Sequence, residues 1–394
     1  MAHWERVRID PDFTGVSSRE RRGGSYLRYH PDPLVSGLQL LSTDALEYAF
    51  DSSSAVAVLG ERLRARPLPL LYAALIRSES IASSWVEGER ETPRNIMLAR
   101  LDHDRATPQG RSVARNIDAM SAAIARLDGI WQHEDIHQIH ATLLPSLSTG
   151  GYRHEQVFIG GRSALSAQYV PPPFQTVPSC MDDFLAYVNR GGDNPLLTAV
   201  LAHAQFETIH PYTDGNGRVG RALFHGVLHR AGVVTGGVLP LSLALAKDTS
   251  AYVDALTAYR HDGDRIEDRR AAVSRYTETM LDFVNVSVAI THDVAERVDR
   301  VWDDWTGAVS RFRADSSVHR AVDILIQQPV VTTSYLQREL GVTKMAAHTC
   351  VNALVEAGVL TPSGGTLKRA HLYQADAVLD ILQLSGSGAN PSTP

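Results

Sequence analysis

Cysteine is nearly missing from this sequence: Cys180 and Cys350 are the only two in 394 residues. They stand far apart and lack the spacing of metal ligands, which argues against a disulfide framework and points to a reducing cytoplasm. Long apolar runs are missing too. Nothing approaches bilayer-spanning length, and the opening "MAHWERVRID" has no apolar signal core, so no membrane association is expected. Neither charge sign dominates: 38 Lys and Arg face 44 Asp and Glu, a formal net charge of −6. That mild acidity speaks against a general nucleic-acid coat but leaves room for a local basic patch. Internal repeats are absent. What remains, 44% apolar and 21% charged residues, is the composition of a soluble globular protein with length for two or three domains.

Residues 1–35 are polar and include "SSRERRGG"; they read as an extended, partly ordered N-terminal arm with a solvated charge run. From about Leu38 to Arg260 the pattern is mainly helical. "LYAALIRSESIASSWVEG" predicts a helix stopped by Gly88, "RSVARNIDAMSAAIARLDG" one stopped by Gly129, and "HEDIHQIHATLLP" one ended by Pro145. "QVFIGGRSALSAQYVPPP" breaks that rhythm. Short apolar segments flank Gly160-Gly161, which predicts a β-hairpin with arms Val157 to Ile159 and Gln168 to Val170. Helices resume at "NPLLTAVLAHAQFETI", with Asn194 as cap and Pro195 in the first turn. Another, "GRVGRALFHGVLHRAG", stops at Gly232. Residues 265–315 form a helical connector of one long or two shorter amphipathic helices. Residues 316–382 read as three short helices and a ribbon around "SGG", the winged-helix pattern. The tail 383–394 is low-complexity and reads as disordered.

One stretch concentrates chemistry: "HPYTDGNGRVGR", His210 to Arg221. A helix ends before it and a new one starts inside it. Glycine-rich backbone entering a helix N-terminus is an anion site, because the first amides lack helical partners and the helix dipole favours negative charge. Gly215 and Gly217 permit close backbone approach. Arg218 and Arg221, at i and i+3, project from one face, and two guanidiniums beside such amides suit a polyphosphate. Asp214 is a carboxylate of the kind that holds Mg²⁺ together with phosphate oxygens. His210 supplies an imidazole matched to proton removal near neutral pH. Together these describe transfer from a nucleoside polyphosphate to a hydroxyl.

The stretch closely resembles the Fic family signature HxFx(D/E)GNGRxxR, through His210, Tyr212, Asp214, Gly215, Asn216, Gly217, Arg218 and Arg221. Tyr212 replaces the family's Phe, which serves if its hydroxyl finds a partner. The resemblance covers about residues 38–260. It implies a mainly α fold: a Fic-type helical bundle with a β-hairpin flap over residues 36–264, followed here by the connector and the C-terminal winged-helix domain. It further implies a protein adenylyltransferase that moves AMP from ATP, with Mg²⁺, to Ser, Thr or Tyr hydroxyls of a protein target and releases pyrophosphate. By position, His210 would be the catalytic base and Asp214 the metal ligand. Gly215, Asn216, Gly217, Val219 and Gly220 would cradle the nucleotide, with Arg218 on the β-phosphate side, Arg221 on the γ-phosphate and Tyr252 near the base. Asp248 stands where family members carry an Asn that contacts the base. The hairpin, Val157, Phe158, Ile159 and Gly160, is similar to the flap that docks a target segment by strand-like pairing.

Glu87 raises a separate point. A carboxylate at a helix C-terminal end faces the negative end of the dipole, so something should compensate it. Ser83-x-x-x-Glu87-Gly88 is similar to the family's inhibitory motif (S/T)xxxE(G/N). There the glutamate pairs with the second signature arginine, here Arg221, blocking productive γ-phosphate placement and making inhibition internal to the chain.

Other features are weaker. His137 and His140, like His225 and His229, have helical metal-ligand spacing but no HExxH glutamate and read as structural. His203 reads as a hydrogen-bonded core histidine. The winged helix could contact DNA through Lys344, His348 and Asn352 and through Lys368, Arg369 and His371 on its ribbon; protein docking, including homodimerisation, fits equally. Rival functions are transfer of another nucleotide or of phosphate, removal of AMP, or a DNA-binding regulator that only senses nucleotide.

Overall fold

A computed structural model describes residues 2–11, 21–34, 37–64, 68–102, 106–145, 148, 150–191, 193–233, 238–263, 265–367 and 370–384. The fold is mainly helical with two small sheets. The chain divides into two compact units: Met1–Ser54 with Ala122–Val233 and Asp248–Phe283, and Ala55–Ser121 with Val234–Lys247 and Val284–Pro394. Among the described residues, no helix is long and apolar enough to cross a membrane.

In chain order the elements are β1 (His3–Ile9), β2 (Gly24–His30), α1 (Gly37–Leu40), α2 (Thr43–Arg64), α3 (Leu68–Val86), α4 (Pro93–Leu101), α5 (Pro108–Arg126), α6 (His133–Leu143), α7 (Val177–Arg190) and α8 (Pro195–Ile209). There follow α9 (Asn216–Arg230), α10 (Leu241–Lys247), α11 (Thr249–Tyr259), α12 (Ile266–Val309), α13 (Ser317–Gln327), β3 (Val330–Thr332), α14 (Thr333–Leu340), α15 (Lys344–Glu356), β4 (Thr361–Leu367), β5 (Ala370–Gln374) and α16 (Asp376–Leu384).

The first unit is built round α8. Asn194 accepts hydrogen bonds from the Leu196 and Leu197 amides, at 3.0 and 3.2 Å, and Pro195 occupies a position that needs no amide. Apart from its first residue and Thr198, all of α8 is buried, so it is a central helix with neighbours all round rather than an amphipathic one. The helix α9 packs closely on it because Gly220 has no side chain: a Cβ there would lie 2.9 Å from Glu207 Oε1 and 3.2 Å from Phe206 Cδ1. The arm expected at residues 1–35 contains more order than its composition suggests. Strands β1 and β2 pair antiparallel from His3↔His30 to Ile9↔Gly24. Tyr29 anchors this hairpin in a small core with Ala2 and Tyr169, and its amide donates to the Val170 carbonyl at 3.0 Å. The strands were not predicted because each is short and polar-rich and its partner lies across the arginine-rich stretch; residues 12–20 between them lie outside the described ones.

In the second unit, helices α13, α14 and α15 stand where the sequence predicts them, but the ribbon does not turn at Ser363–Gly365: those residues lie inside β4, where the register shifts between Ser363 and Thr366, and the connection to β5 falls at residues 368–369, outside the described ones. A third strand, β3, joins to give the order β3-β5-β4. Val330 and Leu372 share a core with Ile81, Met97, Val113 and Leu379. Arg77 of α3, buried, donates to the Ile326 carbonyl at 2.9 Å and to that of Gln327, covering the C-terminal end of α13. Lys344, His348 and Asn352 form an exposed row along α15, and His371 is exposed, whereas Lys368 and Arg369 lie outside the described residues. The connector is one continuous helix, α12. Helix α16 runs to Leu384, so the first two residues of the expected 383–394 tail are helical, and residues 385–394 lie outside the described ones.

Candidate active site

The signature loop is shaped by its own residues. Helix α8 ends at His210, whose φ of 51° makes it the one non-glycine residue with positive φ among the described residues. Its amide still closes the helix by donating to the Phe206 carbonyl at 2.9 Å. The chain then turns through Pro211 to Gly215, and Asn216 clamps the turn from both sides. Its Oδ1 accepts from the Tyr212 amide at 2.9 Å, and its Nδ2 donates to the Tyr212 carbonyl at 2.8 Å. Gly215, at φ 80°, caps α9, and its amide donates to Asp214 Oδ1 at 2.6 Å. Val219 is the first residue whose amide reaches back one turn, to the Gly215 carbonyl at 3.0 Å. The amides of Asn216 and Gly217 therefore have no carbonyl one turn earlier to bond within the helix, which makes them donors suited to an anion.

Charge is concentrated around these donors. Arg218 and Arg221 are 2% and 0% exposed, and Arg218 Nη2 lies 3.9 Å from Asp214 Oδ1. The Asp214 side chain itself is 58% exposed. Among the described residues no three His, Cys, Asp or Glu side chains are grouped to hold a metal. His210 Nδ1 lies 3.9 Å from Glu207 Oε2. Burial, seconded by the positive charges of Arg153 and Arg260, pushes the His210 imidazole down to about 3, so it is neutral.

The structure places the other predicted residues in distinct roles. Asn216 spends its side chain on the loop, Val219 is buried in the core, and Gly220 serves packing against α8. Tyr252 is 5% exposed, and its hydroxyl lies 2.9 Å from His203 Nε2 in the same core. Asp248 caps α11, its Oδ1 accepting from the Ala251 amide at 2.9 Å. An Asn would cap as well as this Asp does. The flap is narrower than its predicted arms: Val157 and Phe158 precede a single bridge, Ile159↔Tyr169, and Gly160 turns away at φ 70°. Ser83 is buried in α3, while Glu87 is exposed in the turn that Gly88 closes at φ 83°.

The tyrosine in the signature has an explanation. Its hydroxyl sits 2.8 Å from His137 Nδ1, and its ring stacks on His140 at 3.9 Å between centroids. His140 Nε2 in turn contacts the Asp214 carbonyl at 3.1 Å. His137 and His140 thus hold the loop. The sequence reading missed Arg153, 4% exposed, whose guanidinium meets the end of α8. A lone arginine in "GGYRHEQ" carries no signal of its own.

Two imidazoles, His203 fully buried and His210 partly exposed, give a pH prediction. His203 and His210 are both pushed down to about 3, chiefly by burial. Unfolded, each takes up a proton below about pH 6.5. Between those limits the unfolded chain binds more protons, so stability is complete above about pH 6.5 and falls as pH drops toward 3. At pH 5 the loss is about 2 kcal/mol for the fully buried His203 and smaller for the partly exposed His210. Thermal melts of wild type and His203→Gln at pH 8 and pH 5 should show a smaller acid shift for the variant; equal shifts would refute the assignment.

Comparison with known proteins agrees with this geometry. The Fic/DOC family profile matches residues 130–228. A protein adenylyltransferase Fic of Nematostella vectensis is 32% identical over 163 residues, 40% of this chain and 35% of that protein. The Aedes aegypti protein adenylyltransferase Fic is 25% identical over 236 residues, 57% of this chain and 44% of the relative. A probable protein adenylyltransferase of Aquifex aeolicus is 24% identical over 217 residues, 53% and 62% of the two chains. This chain thus spans less than two thirds of the length of each of these relatives. Among solved structures, a Fic family protein from Desulfovibrio desulfuricans G20 aligns over 88% of this chain and 98% of its own, with a TM-score of 0.50 and 20% identity, a likeness of fold.

Proposed function

We propose that this chain, which carries a Fic/DOC family domain over residues 130–228, is a protein adenylyltransferase that moves AMP from ATP to a hydroxyl of a protein target. The observation that carries the reading is the placement of His210 at the mouth of a loop whose next helix presents free-standing amides and two buried arginines. The name shared by the relatives supports the same reading.

In this reading the target's hydroxyl oxygen attacks the α-phosphorus, and the bond from that phosphorus to the bridging oxygen of the β-phosphate breaks. His210 takes the hydroxyl proton, and pyrophosphate leaves. The neutral imidazole is the form able to accept it, and the arriving phosphate charge raises its basicity. The amides of Asn216 and Gly217 hold phosphate oxygens, Arg218 lies toward the β-phosphate and Arg221 toward the γ-phosphate. Asp214 would hold Mg²⁺. A lone, exposed carboxylate fits an ion that shares its coordination with phosphates and water, and such an ion, when bound, neutralises phosphate charge. The flap at Val157–Gly160 would dock the target by strand addition. The exposed row on α15 would serve DNA or a protein partner.

Glu87 would restrain the enzyme by pairing with Arg221. The test uses wild type and Glu87→Gly with ATP labelled separately at the α- and γ-phosphates. Little labelling of wild type, and α- but not γ-label on Glu87→Gly, is expected. γ-Label would mean phosphotransfer, no label on either chain would sink the transferase, and strong equal α-label would sink only the restraint.

A further inference from the structure

Helix ends are costly where they are buried, because the last carbonyls have no helical donor. The end of α8 is such a place, and its carbonyls are met by residues from one neighbouring segment. Tyr169 Oη donates to the Thr208 carbonyl at 2.6 Å. Arg153 Nε donates to the His210 carbonyl at 2.9 Å, with Nη2 3.5 Å from that of Ile209, and the Arg153 amide donates to the Pro211 carbonyl at 2.9 Å. The same guanidinium is tied at its far side to the carbonyls of Glu155, through Nη1 at 3.0 Å, and Pro172, through Nη2 at 2.6 Å. These latter two flank the flap.

We propose that Arg153 is a positioning residue for His210: its guanidinium bridges the carbonyls at the end of α8 to both roots of the flap and fixes the left-handed turn from which the imidazole projects. The inference rests on His210 being the base in AMP transfer. Three arguments carry it. A left-handed histidine is strained and persists only where its surroundings over-determine it. A planar fork can serve carbonyls on two sides at once, which a lysine ammonium on a flexible stem cannot. A buried cation at a helix C-terminus also complements the dipole, so the placement is self-consistent. Positive charge there further favours the neutral imidazole. The consequence reaches the target side as well, since flap and base are set by one side chain.

The experiment measures AMP transfer, ATP dependence and the His210 imidazole NMR signals in Glu87→Gly, alone and combined with Arg153→Lys or Arg153→Ala. Arg153 lines a cavity of about 270 Å³ with His140, Gly151, His154, Glu155, Tyr212 and Thr213, which gives small guanidinium ions access. Both combined variants should lose about 100-fold in kcat with KM for ATP changed less than about threefold, the size expected of a misplaced catalytic group. The His210 signals should shift, and methylguanidine should restore part of the rate to Arg153→Ala but not to Arg153→Lys. Unchanged kcat and signals in a folded Arg153→Lys would overturn the proposal. So would a parallel loss of kcat, ATP binding and the melting transition in both variants without rescue, which marks a merely structural residue. An inactive Glu87→Gly parent would count against the transferase instead, and the NMR shift and its reversal by methylguanidine would still decide the positioning.

Discussion

Replacing His210 with Asn in the Glu87→Gly background is expected to reduce AMP transfer about 10³-fold, the scale of a lost general base. The choice of Asn matters. His210 sits at φ 51°, so Ala at this position adds backbone strain to the loss of the imidazole. Asn tolerates the left-handed region and removes only the base. His210→Asn and His210→Ala should be equally inactive while both bind ATP with the parent's affinity, because the amides of Asn216 and Gly217 and the arginines of α9 stay in place. Transfer by His210→Asn within tenfold of the parent would exclude His210 as the base. Loss of ATP binding in both would mean that the residue shapes the cradle.

The second large effect is expected from Gly215→Val. Gly215 has φ 80°, and a Cβ on it would lie 2.5 Å from Leu144 Cδ1 and 3.7 Å from His140 Cδ2. Left-handed strain of about 1–2 kcal/mol combines with overpacking of about 1–3 kcal/mol, so a penalty of about 3 kcal/mol is expected. Leu144 Cδ1 is the end of a flexible side chain and can give way to part of the overpacking, whereas the left-handed strain falls on the cap itself and is relieved only if the turn that positions the Asn216 and Gly217 amides moves. Gly88→Ala is the internal contrast. Gly88 has φ 83°, but nothing lies within 4 Å of its Cβ position, so strain alone, about 1 kcal/mol, is expected. Calorimetric nucleotide titration with thermal melts should show Gly215→Val without measurable ATP binding and clearly less stable, and Gly88→Ala only slightly less stable. ATP binding by Gly215→Val at parental affinity would show that the cap glycine is dispensable.

Much of this molecule was legible from local grammar. Asn194 and Pro195 announced the start of α8, Gly88 and Gly232 ended their helices, and the order of the C-terminal helices followed from turn residues and apolar spacing. The signature showed itself because a histidine, a carboxylate, three glycines and two arginines in twelve residues have no use in an ordinary loop. The N-terminal strands were harder. The pairing of His3–Ile9 with Gly24–His30 depends on Tyr29 finding Tyr169, far away in the chain.

The sequence by itself determined which residue types gather in the signature loop, since motif spacing and helix termini are local properties of consecutive residues. Only the tertiary structure decided what each one does. It set the Asn216 side chain to clamping the loop, Gly220 to packing and Tyr252 to a core hydrogen bond with His203. It gave the tyrosine of the signature its partner in His137, and it brought Arg153 to the carbonyl of His210, 57 positions along the chain. A side chain's role depends on which buried polar groups need a partner where it lands, and that is settled only when distant segments pack together.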